Sequence, residues 1–186
     1  PYAKPVGRTI FQKICYILTE QGVDTNFHFR QGSYGPFSSE VKDALNVFAN
    51  MNLLQEEQLG KMNALIVGPE FEKVYKKHED ELKPLTKKIN KTVDLFSRIK
   101  STEQAEEVAT VLYAARHIKQ GKVAEEVTEQ DLFDYIVDWK KNWQKTDKKE
   151  SIASTIRNLE MLDWLRLQYS ESLPAPTSQE PSQNSC

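Results

Sequence analysis

The residue types that could do chemistry are few in this sequence, and they are scattered. Three histidines, His28, His78 and His117, stand alone, and no two of them have the spacing of metal ligands. Cys15 falls on the apolar stripe of a predicted helix, which favours a packed thiol over a nucleophile. The seven glycines form neither a dinucleotide fingerprint nor a phosphate loop. We therefore expect a non-enzymatic protein that needs no metal and no cofactor.

Length and composition describe an ordinary globular chain. The 186 residues are 39% hydrophobic and 28% charged, enough for one domain or two small ones. The formal net charge of −2 argues against a chain selected as a whole for gripping nucleic acid. Two cysteines make no disulfide framework, and no apolar run approaches the roughly 20 residues of a membrane span. These features predict a cytoplasmic protein without a membrane partner.

Charge is segregated along the C-terminal half. Residues 83–100 hold six basic residues against one aspartate, and residues 140–149 hold five against one. Between them, residues 123–138 carry six carboxylates and no Lys or Arg. Such runs are usually solvated helix faces; the basic ones would otherwise contact phosphates, with Trp139 or Trp143 as a stacking platform.

The acidic run is our candidate partner-binding surface. On a helix starting after Thr128, three of its aspartates follow steps of three and four residues, so they share one face. Such a row of carboxylates can occupy a groove built for DNA phosphates, which is DNA mimicry, although a solvated face predicts the same sequence. The six residues are Glu125, Glu126, Glu129, Asp131, Asp134 and Asp138.

The N-terminal half predicts two helices followed by a hairpin. Apolar spacing indicates a helix over 7–21, ended by Gly22, and alternation indicates a strand over 27–30. Gly35 is expected to supply backbone freedom, and Pro36 to occupy the first position of a helix over 36–50. Strands over 53–56 and 64–67 complete the plan of a winged helix-turn-helix. Its second helix, with Glu40, Lys42 and Asp43, lacks the basic start of a recognition helix, so DNA binding is disfavoured.

The C-terminal half predicts further helices. A short one opens at Pro69, and three longer ones start near Ser101, Thr128 and Asp147, where capping residues precede apolar periods. Residues 164–167 are read as a possible strand, and the Pro-, Ser- and Gln-rich segment from Ser170 as a disordered tail. The predicted fold is mainly α with a small β-hairpin. Its divisions are a lead-in (1–7), a winged-helix-like module (8–82), a helical module (83–169) and the tail (170–186).

A motif in the first module resembles a known family. The first helix, a following aromatic residue and a Tyr-Gly-Pro-Phe turn are similar to the C-terminal domain of DarG-type antitoxins, and YwgA-type bacterial proteins share the turn. Phe37 stands where tyrosine is common in that family, and residues 47–50 lack an expected Gly-His pair. The motif residues are Gln12, Lys13, Tyr16, Phe29, Tyr34, Gly35, Pro36, Phe37 and Ser38.

The resemblance implies a partner rather than a reaction. Domains of this family bind and block a DNA-modifying ADP-ribosyltransferase toxin, while a separate macrodomain of the same protein removes ADP-ribose from DNA. No macrodomain lies in these residues, so we expect a domain separated from it. The function predicted from sequence is a toxin-neutralising antitoxin domain, and the alternative is a winged-helix DNA-binding regulator.

Overall fold

The computed structural model describes residues 6–60, 62–121 and 127–173. It is mainly helical, with small antiparallel sheets of two and three strands, as the sequence predicts. The chain divides into two compact units, residues 1–109 (unit 1) and residues 110–186 (unit 2). None of the described helices is long and apolar enough to cross a membrane.

Unit 1 contains the strands and most of the shorter helices. Its elements are β1 (Val6–Gly7), α1 (Arg8–Glu20), β2 (Arg30–Gly32), β3 (Gly35–Phe37), α2 (Ser39–Asn50), β4 (Leu54–Leu59), β5 (Met62–Val67), α3 (Phe71–Lys77), α4 (Glu79–Leu82), a 3-10 turn (Lys83–Leu85), α5 (Thr86–Arg98) and the start of α6 (Thr102–Gly121). A three-stranded sheet has the order β1–β5–β4, and β2 and β3 form a separate hairpin.

Helix α1 is the centre of unit 1. Its buried face includes Tyr16 and Ile17, which are 1% and 0% exposed. Gly22, with a φ of 75°, ends the helix as predicted, because its left-handed backbone lets N–H groups reach back to the last carbonyls. Helix α5 packs on α1, and Gln21 Nε2 donates to Thr92 Oγ1 at 2.6 Å. The predicted division after residue 82 is therefore wrong, since α5 belongs to unit 1.

Two predictions around the turn are also wrong. The strand lies at Arg30–Gly32 rather than 27–30. Phe29 lies outside the paired residues, and its ring packs on Tyr16. Pro36 does not begin a helix; it sits in β3 opposite Gln31, a strand position where its missing N–H is tolerated.

Unit 2 is built on α7 (Glu129–Trp139) and α8 (Thr146–Met161). Thr128 caps α7 as predicted: its hydroxyl accepts from Asp131 N at 3.0 Å, and its own N–H donates to the Asp131 carboxylate. Helix α7 ends at Trp139, and Trp143 lies on the following 3-10 turn (Lys141–Trp143). The large apolar side chains that are fully buried in the two helices are Leu132, Ile136, Ile152, Ile156 and Leu159.

The chain after α8 returns to the start of α7. A single bridge joins Thr128 to Gln168, and no strand forms over 164–167 within the described part of the chain. Leu173 is 4% exposed and its carbonyl accepts from Arg157. The prediction that the tail begins at Ser170 is therefore wrong for residues 170–173, which are packed. Residues 174–186 lie outside the described residues.

Candidate binding site

The side chain of Gln12 fixes the end of β3. Gln12 Nε2 donates to Ser38 O at 2.8 Å, and Ser38 N donates to Gln12 Oε1 at 3.2 Å. Both residues are buried, at 8% and 1% exposure. One amide therefore satisfies the donor and the acceptor of a backbone unit that would otherwise be buried without partners.

Lys13, the next residue of α1, contacts the backbone two residues before Ser38. Its Nζ donates to Pro36 O at 2.8 Å, and the side chain is only 2% exposed. We call the contacts of Gln12 and Lys13 with Pro36 and Ser38 the backbone clamp. The motif therefore has a structural meaning: its helix positions and its turn positions bind one another.

Glycine is required twice in the β2–β3 hairpin. Gly35 has a φ of 82°, a conformation that other residues adopt at a cost. A Cβ at Gly32 would lie 2.9 Å from the Gly35 carbonyl oxygen. The two-residue loop between them places Tyr34 at the tip, where it is 72% exposed. The clamp and the turn thus present one aromatic ring to solvent on a fixed backbone.

A cavity of about 910 Å³ opens beside this hairpin in unit 1. Its walls come from the start of α1, the β2–β3 hairpin, α2 and the first turns of α6. Four basic side chains line it against two carboxylates. The charged lining residues are Arg8, Lys13, Arg30, Lys42, Glu103 and Glu106. Sequence reasoning missed this cavity; Lys13 and Tyr34 were in the motif, but nothing linked them to Arg30 or Lys42.

The four cations differ in how they are paired. Arg8 forms an ion pair with Glu56, and Lys13 belongs to the backbone clamp. Arg30 and Lys42 are exposed, and neither has an ion-pair partner within residues 6–60, 62–121 and 127–173. These two side chains leave positive charge available at the cavity wall.

The predicted acidic surface is smaller than the sequence suggested. Asp134 and Asp138 are exposed, but Asp138 forms an ion pair with Lys141. Asp131 is half-buried and serves as a cap of α7. Glu129 is 1% exposed, so its assignment to an exposed partner-binding face is wrong. Glu125 and Glu126 lie outside the described residues.

Glu129 and Glu160 instead form a carboxylate cluster, and Arg157 lies beside it. Arg157 Nε lies 3.6 Å from Glu129 Oε1, and Ser170 N donates to Glu129 Oε2 at 2.9 Å. Leu167 N donates to Glu160 Oε1 at 3.1 Å. Burial raises the pKa of Glu160, and its hydrogen bond and repulsion with Glu129 raise it further. The cluster fastens the returning chain to α7 and α8.

The tryptophans are poorly placed for base stacking, the alternative to a solvated face for the basic runs. The ammonium groups of Lys140 and Lys148 each lie 4.4 Å from the ring centroid of Trp143, which is 7% exposed. Trp139 packs on Tyr113, with ring centroids 5.4 Å apart. Since these rings are already in contact with protein groups, they offer little face to a nucleic acid.

Neither a reactive thiol nor a metal-binding cluster is found among the described residues. Burial raises the pKa of the Cys15 thiol to about 12, which keeps it protonated and unreactive at neutral pH. No group of three metal-ligating side chains occurs in the part of the chain that the structure describes. The arrangement is suited to binding: a fixed aromatic tip beside a cavity with two available cations.

Comparison with known proteins adds no relative. No family model matches the chain, and neither does any curated protein. The likeness to DarG-type antitoxins therefore depends on the motif residues that form the clamp and the turn.

Proposed function

We propose that this chain is a non-enzymatic antitoxin domain that binds and inhibits a DNA-modifying ADP-ribosyltransferase toxin. The observation that supports this most is the backbone clamp. The residues that carry the family resemblance meet in one place, and they fix a hairpin whose tip is an exposed tyrosine. Exposed aromatic residues on rigid backbone are typical anchors of protein interfaces, because little conformational entropy is lost on binding.

In this proposal the toxin would contact the β2–β3 hairpin around Tyr34 and Phe37. DNA mimicry by α7 is the weaker version of the proposal. Four of the six carboxylates of the acidic run lie within the described residues, and of these four only Asp134 and Asp138 are exposed. The Lys141 ammonium beside Asp138 further reduces the negative potential of that face.

The alternative, a winged-helix DNA-binding regulator, is less favourable electrostatically. Strand β4 would form the wing of such a module. It carries Glu56, which is paired with Arg8, and the exposed Glu57. Carboxylates on a wing repel the DNA backbone, so they act against the phosphate contacts that dominate affinity.

The test is calorimetry with any ADP-ribosyltransferase that is found encoded beside this chain's gene, together with an assay of DNA ADP-ribosylation. We expect binding and inhibition, with a loss of affinity of about tenfold or more for Tyr34→Ala, the scale of an interface hot spot. Tyr169→Ala is the matched control, since Tyr169 is 74% exposed and lies in unit 2.

Two results separate the versions of this proposal. If Asp134→Asn/Asp138→Asn weakens binding and salt weakens it in parallel, the acidic face of α7 is the contact, as DNA mimicry requires. A toxin that is neither bound nor inhibited at micromolar concentration would disprove the antitoxin function itself.

A further inference from the structure

We propose that the cavity beside the β2–β3 hairpin binds a nucleoside phosphate. This site goes beyond the proposed function and does not depend on a toxin partner. Its volume of about 910 Å³ falls within the range of about 300–1,000 Å³ typical of small-molecule sites. The cavity is thus large enough for a nucleotide.

The charged side chains that line the cavity favour an anionic ligand. Arg8, Lys13, Arg30 and Lys42 line the cavity against Glu103 and Glu106, although the whole chain carries a net charge of −2. Positive charge is therefore concentrated in this cavity. A concave wall with an excess of one sign of charge attracts ligands of the opposite sign.

Arg30 and Lys42 are the groups that would bind the phosphate. They approach the cavity from different elements, β2 and α2, and neither has an ion-pair partner in the described residues. A guanidinium and an ammonium form the strong charge-assisted hydrogen bonds that phosphate oxygens accept. Helix α1 also begins at this wall, with no acidic residue in its first turn; its N–H groups add to the same preference.

The aromatic residues favour a ligand with a flat ring over a simple anion. Tyr34 and Phe37 line the same cavity, and Tyr34 is 72% exposed. A base can stack on an aromatic side chain whatever its identity, because every base has a π-face. The base and the phosphate of the ligand therefore each have a matching group.

Calorimetry on the full chain tests the site with AMP and UMP, and with adenosine and inorganic phosphate as the two halves of the ligand. We expect the nucleotides to bind at least about tenfold more tightly than either half, and more weakly as salt is raised. A short polyglutamate peptide is the competing anion. Equal or tighter binding of phosphate alone, or of the peptide, would overturn the proposal.

Variants assign the contacts. Arg30→Gln/Lys42→Gln should lower nucleotide affinity by about tenfold or more, the equivalent of one lost charged hydrogen bond. Tyr34→Leu should lower nucleotide affinity while leaving phosphate binding unchanged. Lys87→Gln is the control, because Lys87 is an exposed lysine of α5 outside the cavity. Thermal unfolding checks that each variant is folded. Nucleotide binding that survives the double substitution would disprove the site.

Discussion

The two units bury polar side chains for the same purpose by different chemistry. In unit 1 the amide of Gln12 holds the backbone of Ser38. In unit 2 the carboxylates of Glu129 and Glu160 hold the N–H groups of Ser170 and Leu167. Each arrangement ties the backbone of another segment of its unit to a helix.

The two arrangements differ in whether the side chain that holds the backbone can ionise. An amide does not ionise over the range in which proteins are stable, so the Gln12 contacts are independent of pH. In unit 2, burial and the neighbouring Glu129 raise the pKa of Glu160, so the protonation of this one carboxyl depends on pH. Unit 1 should therefore present its hairpin equally well at any moderate pH, whereas the attachment of the returning chain in unit 2 should respond to pH.

The largest effect is expected for Gln12→Ala. It removes both hydrogen bonds to Ser38 and leaves a buried N–H and a buried carbonyl without partners. We expect a loss of about 2–4 kcal/mol in the free energy of unfolding, because each unsatisfied buried group costs about 1–3 kcal/mol. Urea denaturation measures the loss.

Gln31→Ala is the matched control for that experiment, since Gln31 is an exposed glutamine of the same hairpin. The Gln12→Ala loss should also be the same at pH 5 and pH 8. A loss that changes strongly between these values would show that the clamp is coupled to an ionising group, and the contrast between the units would fail.

A smaller effect is expected from shortening the chain. Truncation after Tyr169 removes Leu173, which is 4% exposed, and the N–H that Ser170 donates to Glu129. We expect a loss of about 1.5–3 kcal/mol, the scale of one buried leucine. Truncation after Leu173 is the control, and it should leave the denaturation curve unchanged because residues 174–186 offer few apolar groups. Equal curves for the two truncations would show that residues 170–173 contribute nothing.

Local patterns were enough to predict much of the fold. Helix α1, its end at Gly22 and the cap at Thr128 follow from spacing and from residues with strong local preferences. Pro36 misled because its fixed φ suits both a first helical position and an irregular strand. Only the register of β2 on β3, set by the tight turn at Gly35, decides between them.

The candidate site was predictable only in part. The motif marked Gln12, Lys13 and Tyr34, but hydrogen bonds between residues some 26 positions apart depend on tertiary packing. The burial of Glu129 has the same origin. Periodicity put three aspartates on one face, yet the segment after α8, which covers Glu129, gave no periodic signal of its own.

The smallest effect, and the sharpest test of the contrast, is expected for Glu160→Gln. Burial raises the pKa of Glu160 above its usual value of 4.5, and Glu129 raises it further. Between 4.5 and the raised pKa the folded chain binds more protons than the unfolded chain, so the free energy of unfolding falls as pH rises through that window.

Glutamine has no proton to lose, and its amide can still accept from Leu167 and donate to Glu129. The variant should therefore lose less stability than the wild type from pH 4 to pH 8 and exceed it at pH 8. We expect a gain below about 1 kcal/mol, because Glu160 is only half-buried and water screens its charge. Denaturation at a series of pH values measures it, with Glu150→Gln, an exposed glutamate of the same helix, as control. Parallel pH curves for wild type and Glu160→Gln would show that the carboxylate cluster holds the returning chain without any dependence on its protonation.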